Sequence, residues 1–347
     1  MMKEQSADSL FEVLCGTYEE YLLGYKLIKE ENGYKLEHSI ADHSHLGSVR
    51  SLATHQRHLA SGGSDENIYL YDLKERREGG LLMHHCGMIT TLKFTPDGTH
   101  LMSGSEDGAI AMVRVGNWIL EKIWTKAHKG MAVHSISIHP SGKMALSVGA
   151  DKTLRTWNLI KGRPAYTVNL ANKCLRPEII SWSFCGNYFA LVNQNSLVIY
   201  DVSSAAVQTT ITIKDRITCV EFLKGERVCL GDWAGNVTCY AFLTGEEQWQ
   251  IPRTDEVRVK TIGHINDWLV VANGQGKLMV YDVKNKPDKL TEINTMCRIT
   301  CMTISRIDES KMTMKKKKKK KNDEVKVKSE GDILVTSGQK WIVSSLS

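Results

Sequence analysis

Between residues 127 and 159 the chain reads AHKGMAVHSISIHPSGKMALSVGADKTLRTWNL, and its apolar positions come in short alternating runs. Ile136 and Ile138 fall on one face of an extended segment, Ser135 and Ser137 on the other. Pro140-Ser141-Gly142 breaks that run, Met144 to Val148 makes a second, and Gly149-Ala150-Asp151-Lys152 breaks the chain again. Leu154 to Leu159, carrying Trp157, is the third. Period-two alternation punctuated by Gly, Pro, Ser and Asp predicts antiparallel strands joined by tight turns. A single small sheet cannot cover both of its faces, so this unit needs neighbours of its own kind.

The neighbours are present. Leu59 to Leu73 aligns without gaps on the same turn and third strand, as does Leu101 to Val115, with Asp107 in the turn and Val113 at the aromatic position. Weaker copies end at Tyr200-Asp201, Tyr240-Ala241 and Tyr281-Asp282. The aromatic-equivalent positions 71, 113, 157, 200, 240 and 281 are spaced by 42, 44, 43, 40 and 41 residues. That period, with four strands per unit, predicts propeller blades.

Glu12 to Tyr25 aligns on Leu59 to Asp72, Gly16 falling on Gly63, and so reads as a hairpin of the same kind. First strands are expected near 49, 89, 133, 178, 217, 257 and 298, and outer strands near 34, 78, 120, 165, 207, 247 and 289. Two-stranded hairpins number eight if Ile333 to Leu346 is included, which makes two strands more than seven blades need. The expected fold is an all-β, seven-bladed propeller over 11–306, after a loose tail at 1–10. Ile299 to Ser305 would be the inner strand of the last blade, and the N-terminal hairpin with 34–42 its outer three, which leaves no open sheet edge. A lysine-rich disordered segment, 307–331, and a surplus or competing hairpin, 332–347, follow.

The repeats resemble WD40 repeats. The terminal dipeptide appears as Tyr71-Asp72, Trp157-Asn158, Tyr200-Asp201 and Tyr281-Asp282, and the histidine at the start of a blade as His43 or His45, His84 or His85, and His128. More narrowly, the chain is similar to the p21-activated kinase-interacting protein family. Ala127 to Leu159, the N-terminal VLCGTYEEYLLGYKL and the lysine-rich region carry the likeness, which is strongest over residues 11–160. The resemblance implies a nucleolar role in assembling the large ribosomal subunit, and binding and restraint of p21-activated kinase.

Three blades carry a full polar set. His43 or His45 goes with Ser61 and Asp65, His84 or His85 with Ser103 and Asp107, and His128 with Ser147 and Asp151. After residue 160 the set disappears, and Gln275 stands where the aspartate would be. Ser, His and Asp are the parts of a nucleophilic triad. A constellation repeated in three blades at constant spacing is a structural device instead. The WD40 resemblance implies that these groups bond to one another and to Trp157, tying the hairpin turn to the start of the blade. No P-loop or nucleophile-elbow motif is present, and Gly104-Ser105-Glu106-Asp107-Gly108 and Gly274-Gln275-Gly276 are hairpin turns of the repeat. The chain is therefore expected to be no enzyme and to need no cofactor.

The chain of 347 residues is 42% hydrophobic and 24% charged, which fits a globular domain with a sizeable core. There is no run of apolar residues long enough for a transmembrane helix, and MMKEQSADSLFEV does not read as a secretory signal. The nine cysteines are odd in number and form no CxxC pair, so reduced thiols are expected and a zinc site is not.

The net charge of +6 is unevenly spread. Residues 311–328 hold ten lysines against Asp323 and Glu324, a surplus of eight that leaves about −2 elsewhere. Within that block the run Lys315, Lys316, Lys317, Lys318, Lys319, Lys320 and Lys321 fits a nuclear import signal, and equally a contact to RNA phosphates that reads no base. A solvated, functionless insertion is the third reading. On the propeller, Lys129, Lys152, Arg155, Lys214 and Arg216 align near the face that carries blade starts and hairpin turns, the candidate partner face.

The function expected is a non-catalytic nucleolar scaffold of 60S subunit biogenesis, monomeric within larger complexes. Its partners would be assembly factors, pre-ribosomal particles and p21-activated kinase, with no membrane and no small-molecule substrate. The competing reading is a cytoplasmic WD40 adaptor such as a ubiquitin-ligase substrate receptor.

Overall fold

The structure, a computed structural model, describes residues 9–31, 33–171, 176–253 and 256–306. The lysine run, the hairpin expected over Ile333 to Leu346 and the 307–331 segment lie outside the described residues. Twenty-eight strands, β1 to β28 in chain order, form seven antiparallel sheets of four. The inner strands are β4 (Val49–His55), β8 (Ile89–Phe94), β12 (Val133–Ile138), β16 (Ile179–Trp182), β20 (Ile217–Leu223), β24 (Val259–Ile265) and β28 (Ile299–Arg306). Each touches the inner strand of the next blade, and β28 touches β4, so the ring is closed. Blades are numbered one to seven from the one that contains β4.

The seventh blade has the order β28-β1-β2-β3, with β1 at Ser9–Thr17, β2 at Leu22–Glu30 and β3 at Gly33–Asp42. Both ends of the described chain therefore build one sheet, as the strand pattern predicts, and pairing starts at Ser9 rather than at residue 11. The four strands are complete without any residue beyond 306.

One register differs from the sequence alignment. Val13 pairs with Tyr25 and Gly16 with Leu22, as Leu59 pairs with Tyr71 and Gly62 with Ile68. Gly16 is thus the counterpart of Gly62, not of Gly63, and Tyr25 that of Tyr71. The reason is steric. A Cβ on Gly16 would lie 2.5 Å from Val49 of the next blade, and one on Gly62 2.4 Å from Ile89. Glycine at this place lets the second strand pack against the first residue of the neighbouring inner strand.

The core follows from this geometry. Seven buried clusters each draw on two neighbouring sheets, one cluster for every adjacent pair. Met102, Ile110 and Met112 of blade two meet Val133, Ile136 and Trp157 of blade three, for example. The β-branched and aromatic residues of each unit thus cover the next unit, which supplies the neighbours one sheet lacks. The inner strands diverge too far to join as a barrel, and hydroxyl side chains bridge them. Thr90 Oγ1 donates to the Val133 carbonyl at 2.6 Å, and Ser137 Oγ accepts from the Trp182 amide at 3.0 Å.

Candidate partner-binding face

Local turn chemistry positions the face. In blade three, His128 Nδ1 lies 2.8 Å from Asp151 Oδ1 and its Nε2 2.7 Å from Ser147 Oγ. Trp157 Nε1 donates to the same Ser147 Oγ at 2.8 Å. Since Ser147 accepts from Trp157, its own hydrogen goes to His128 Nε2, and the Nδ1–H donates to Asp151. Burial lowers the His128 pKa more than Asp151 raises it, so the ring is neutral near neutral pH, as this chain of donors requires. Burial acts to raise Asp151, but bonds from His128 and Thr153 outweigh it and hold the carboxyl below its ordinary value.

Blades one and two repeat the arrangement. His45 Nδ1 is 3.0 Å from Asp65 and its Nε2 2.7 Å from Ser61, while His85 is 3.1 Å from Asp107 and 2.8 Å from Ser103. His43 instead pairs with Glu20 at 3.3 Å in a half-exposed position. In blade two Val113 has no side-chain N–H to offer, and His84 Nε2 takes the second place on Ser103 at 3.2 Å. Burial and then the neighbouring His85 hold His84 down to about 4.

The triad geometry is therefore present three times and sealed each time. Ser61, Ser147 and His128 are wholly buried, His45 and Ser103 nearly so, and His85 is 6% exposed. No substrate carbonyl can approach Ser147 Oγ, which is already engaged by Trp157 and His128.

The cations placed on this face by alignment fall into two groups. Lys129 and Lys152 are exposed at left-handed turn positions of blade three, with φ of 57° and 55°. Arg155 is turned onto Asp151 at 3.3 Å with its side chain 14% exposed, so it extends the buried network. Lys214 is exposed, and Arg216 pairs across blades with Glu178 at 3.0 Å.

Arg216 belongs to a pattern that sequence spacing did not bring out. In each of six blades the residue just before the inner strand accepts, through its carbonyl, the amide of one turn residue. Those acceptors are Ser48, Met88 and Ala132 in blades one to three, and Arg216, Arg258 and Arg298 in blades five to seven. Three successive blades thus place arginine at one structural position. The turn residues opposite are Trp233, Gly274 and Tyr18. Arg258 lies over the Trp233 ring, 4.7 Å from its centroid, and Arg298 over Tyr18 at 4.1 Å. Both rings remain about half exposed, at 51% and 53%. One signal was available: Arg216, Arg258 and Arg298 each precede an Ile or Val that opens an inner strand.

Comparison with known proteins agrees with this architecture. Residues 35–72, 78–112 and 120–158 match the WD domain, G-beta repeat family. Each match starts in or next to the outer strand of one sheet and continues into the next, the offset that makes closure draw on both chain ends. The chain is 35% identical to a zebrafish (Danio rerio) protein named p21-activated protein kinase-interacting protein 1-like, over 88% of this chain and 83% of that one. It is 36% identical to human p21-activated protein kinase-interacting protein 1 over 84% and 76%. Protein MAK11 of Saccharomyces cerevisiae is 28% identical over 88% and 86%. With the repeat matches, the seven sheets and this extent of identity, the chain belongs to the p21-activated protein kinase-interacting protein family of WD40 propellers.

Proposed function

We propose that the protein is a non-catalytic WD40 scaffold that works in the nucleolus, in pre-rRNA processing and assembly of the 60S ribosomal subunit, and that it binds and restrains p21-activated kinase. The observation that carries the scaffold reading is the sealing of all three Ser-His-Asp sets inside blades whose turns form an open face. The kinase arm is supported by the names of the relatives, two of which are called p21-activated protein kinase-interacting. A third relative, from Schizosaccharomyces pombe, is named Shk1 kinase-binding protein 15 and is 25% identical over 77% of this chain. The nuclear arm is supported by the lysine run Lys315 to Lys321, whose clustered charge suits an acidic import receptor.

Affinity purification from cells, followed by identification of RNA and protein, tests the first arm. Large-subunit precursor rRNA and assembly factors are expected, and ubiquitin-ligase subunits in their place would overturn it. For the second arm, the purified chain is expected to bind p21-activated kinase directly and to lower its autophosphorylation. Binding without that loss would leave an interaction but remove the restraint.

A further inference from the structure

The turn face has one sector unlike the rest. Around the ring opening in blades five to seven lie Arg258 and Arg298, at equivalent positions, each stacked on a half-exposed aromatic ring. Arg50 and Lys260 are each the second residue of an inner strand, in blades one and six. Burial and then Arg258 and Arg50 lower the Lys260 pKa, so both arginines lie near enough to repel the Lys260 ammonium. Among the described residues, none of Arg50, Arg258 and Lys260 makes an ion pair. Arg298 pairs with Glu19 at 2.7 Å, where its side chain is 61% exposed. Unpaired cations that repel are a standing cost to the fold and mark a place that gains from an anion.

We infer that this sector binds single-stranded RNA, with phosphates held by Arg50, Arg258 and Lys260 and bases stacked on Trp233 and Tyr18. Two observations favour RNA over an acidic peptide. An acidic segment would use the cations and leave both rings without a role. Single strands use both, because every base has a π-face and every step a phosphate. The stacked arginines also hold the rings in place, so little side-chain freedom is lost when a base arrives.

The test uses the full chain with Lys315 to Lys321 changed to Gln, so that charge from the run does not dominate the binding that is read. The probe is a fluorescein-labelled oligouridylate of about 12 nucleotides. Trp233→Ala and Arg258→Glu are each expected to weaken binding about tenfold, with the thermal transition unchanged. Lys122→Glu, in the exposed outer strand of blade two, is expected to leave affinity within about twofold. Trp233→Phe should keep binding but lose part of the tryptophan quenching that RNA causes. Unchanged affinity in Trp233→Ala, or equal affinity for a duplex of the same length, overturns stacking and with it the proposal. So does displacement of the probe by polyglutamate whose own binding depends on Arg258 but not on Trp233, the result expected of a site for acidic protein segments.

Discussion

Blades one to three and blades five to seven hold their hairpin turns by different means. In the first group a histidine from outside the sheet reaches a serine and an aspartate, tying groups 16 to 23 residues apart. In the second group the turn is held from within. Asp232 Oδ1 accepts from the Asn236 amide at 2.8 Å, Asn273 Oδ1 from the Lys277 amide at 2.9 Å, and Thr17 Oγ1 from the Tyr21 amide at 2.9 Å. Both devices satisfy the turn, and in both groups a backbone bond ties it to the residue before the inner strand, but only the first adds a buried side-chain link to a histidine ahead of the blade. The second frees the position that Asp65, Asp107 and Asp151 occupy, which becomes Ala234 and Gln275 in blades five and six. The regular half is tied into its sheets, and the irregular half collects the arginine–aromatic pairs.

The largest expected effect tests what both groups share, ring closure through blade seven. Deleting residues 1–28 removes β1 and most of β2 and strips β28 of its only partner strand. Exposed edges of this kind aggregate, so insoluble protein is expected. Deleting 311–347 takes nothing from any described sheet and should leave a soluble chain with an unchanged thermal transition. Soluble, monodisperse protein from the first deletion would mean that another segment, such as Ile333 to Leu346, can close the ring.

The difference between the groups is sharpened by paired substitutions. Asp151→Ala leaves the His128 N–H without its carboxylate in a buried site and is expected to destabilise by about 1–3 kcal/mol. Gln275→Ala, at the equivalent turn position of blade six, removes no such partner and should stay within about 0.5 kcal/mol. Thermal unfolding of both variants checks this. Equal losses would show that the polar sets do no more than the local caps.

Much of this was legible in the sequence, and the misses have physical causes. Inner and outer strands fell within a few residues of their expected starts because period-two alternation survives even where the repeats are worn, as at Ile179 to Trp182. The one-residue slip at Gly16 arose because a gapless match can place one glycine on either of the pair Gly62-Gly63, and only packing against Val49 distinguishes them. His45 and His85 could not be chosen over His43 and His84, since both candidates lie within reach of a loop start and burial decides. The arginine sector escaped notice because its members are some 40 residues apart and meet only once the ring closes. A body charge near neutral also concealed it, for Lys260, Arg258 and Arg50 are offset by acids elsewhere on the surface.

Acid should weaken the first group before the second. The folded pKa values of His45, His85 and His128 lie below that of free histidine, with burial the largest cause in each. The unfolded chain therefore binds more protons once pH drops below about 6.5. Stability from these rings is whole above that pH and falls as it is lowered through the range between the unfolded and folded values. Asp107 and Asp151 are held low, so their share persists through this window and is lost only at more acid pH. Denaturant midpoints across the range measure the slope. A slope unaltered in a His128→Gln variant would show that blade three contributes nothing to it.

The smallest effect is expected from an attempt to convert one group into the other. Gln275→Asp restores to blade six the residue type that Asp151 supplies in blade three. Ser147 has its register counterpart in Val271, which carries no hydroxyl, and the sequence holds no histidine in the ten residues before that inner strand. The new carboxylate would thus find neither an imidazole nor a serine, and Asn273 Oδ1 already takes the Gln275 and Lys277 amides at 3.1 and 2.9 Å. The melting temperature should therefore shift little, by a change worth less than about 0.5 kcal/mol. A clear gain would mean that the aspartate acts through the turn alone, and that the network in blades one to three owes its effect to that local cap rather than to the buried histidine. A clear loss, relieved by added salt, would point to repulsion between the new carboxylate and a neighbouring acid. Either result would redraw the line between the two groups at the level of one side chain.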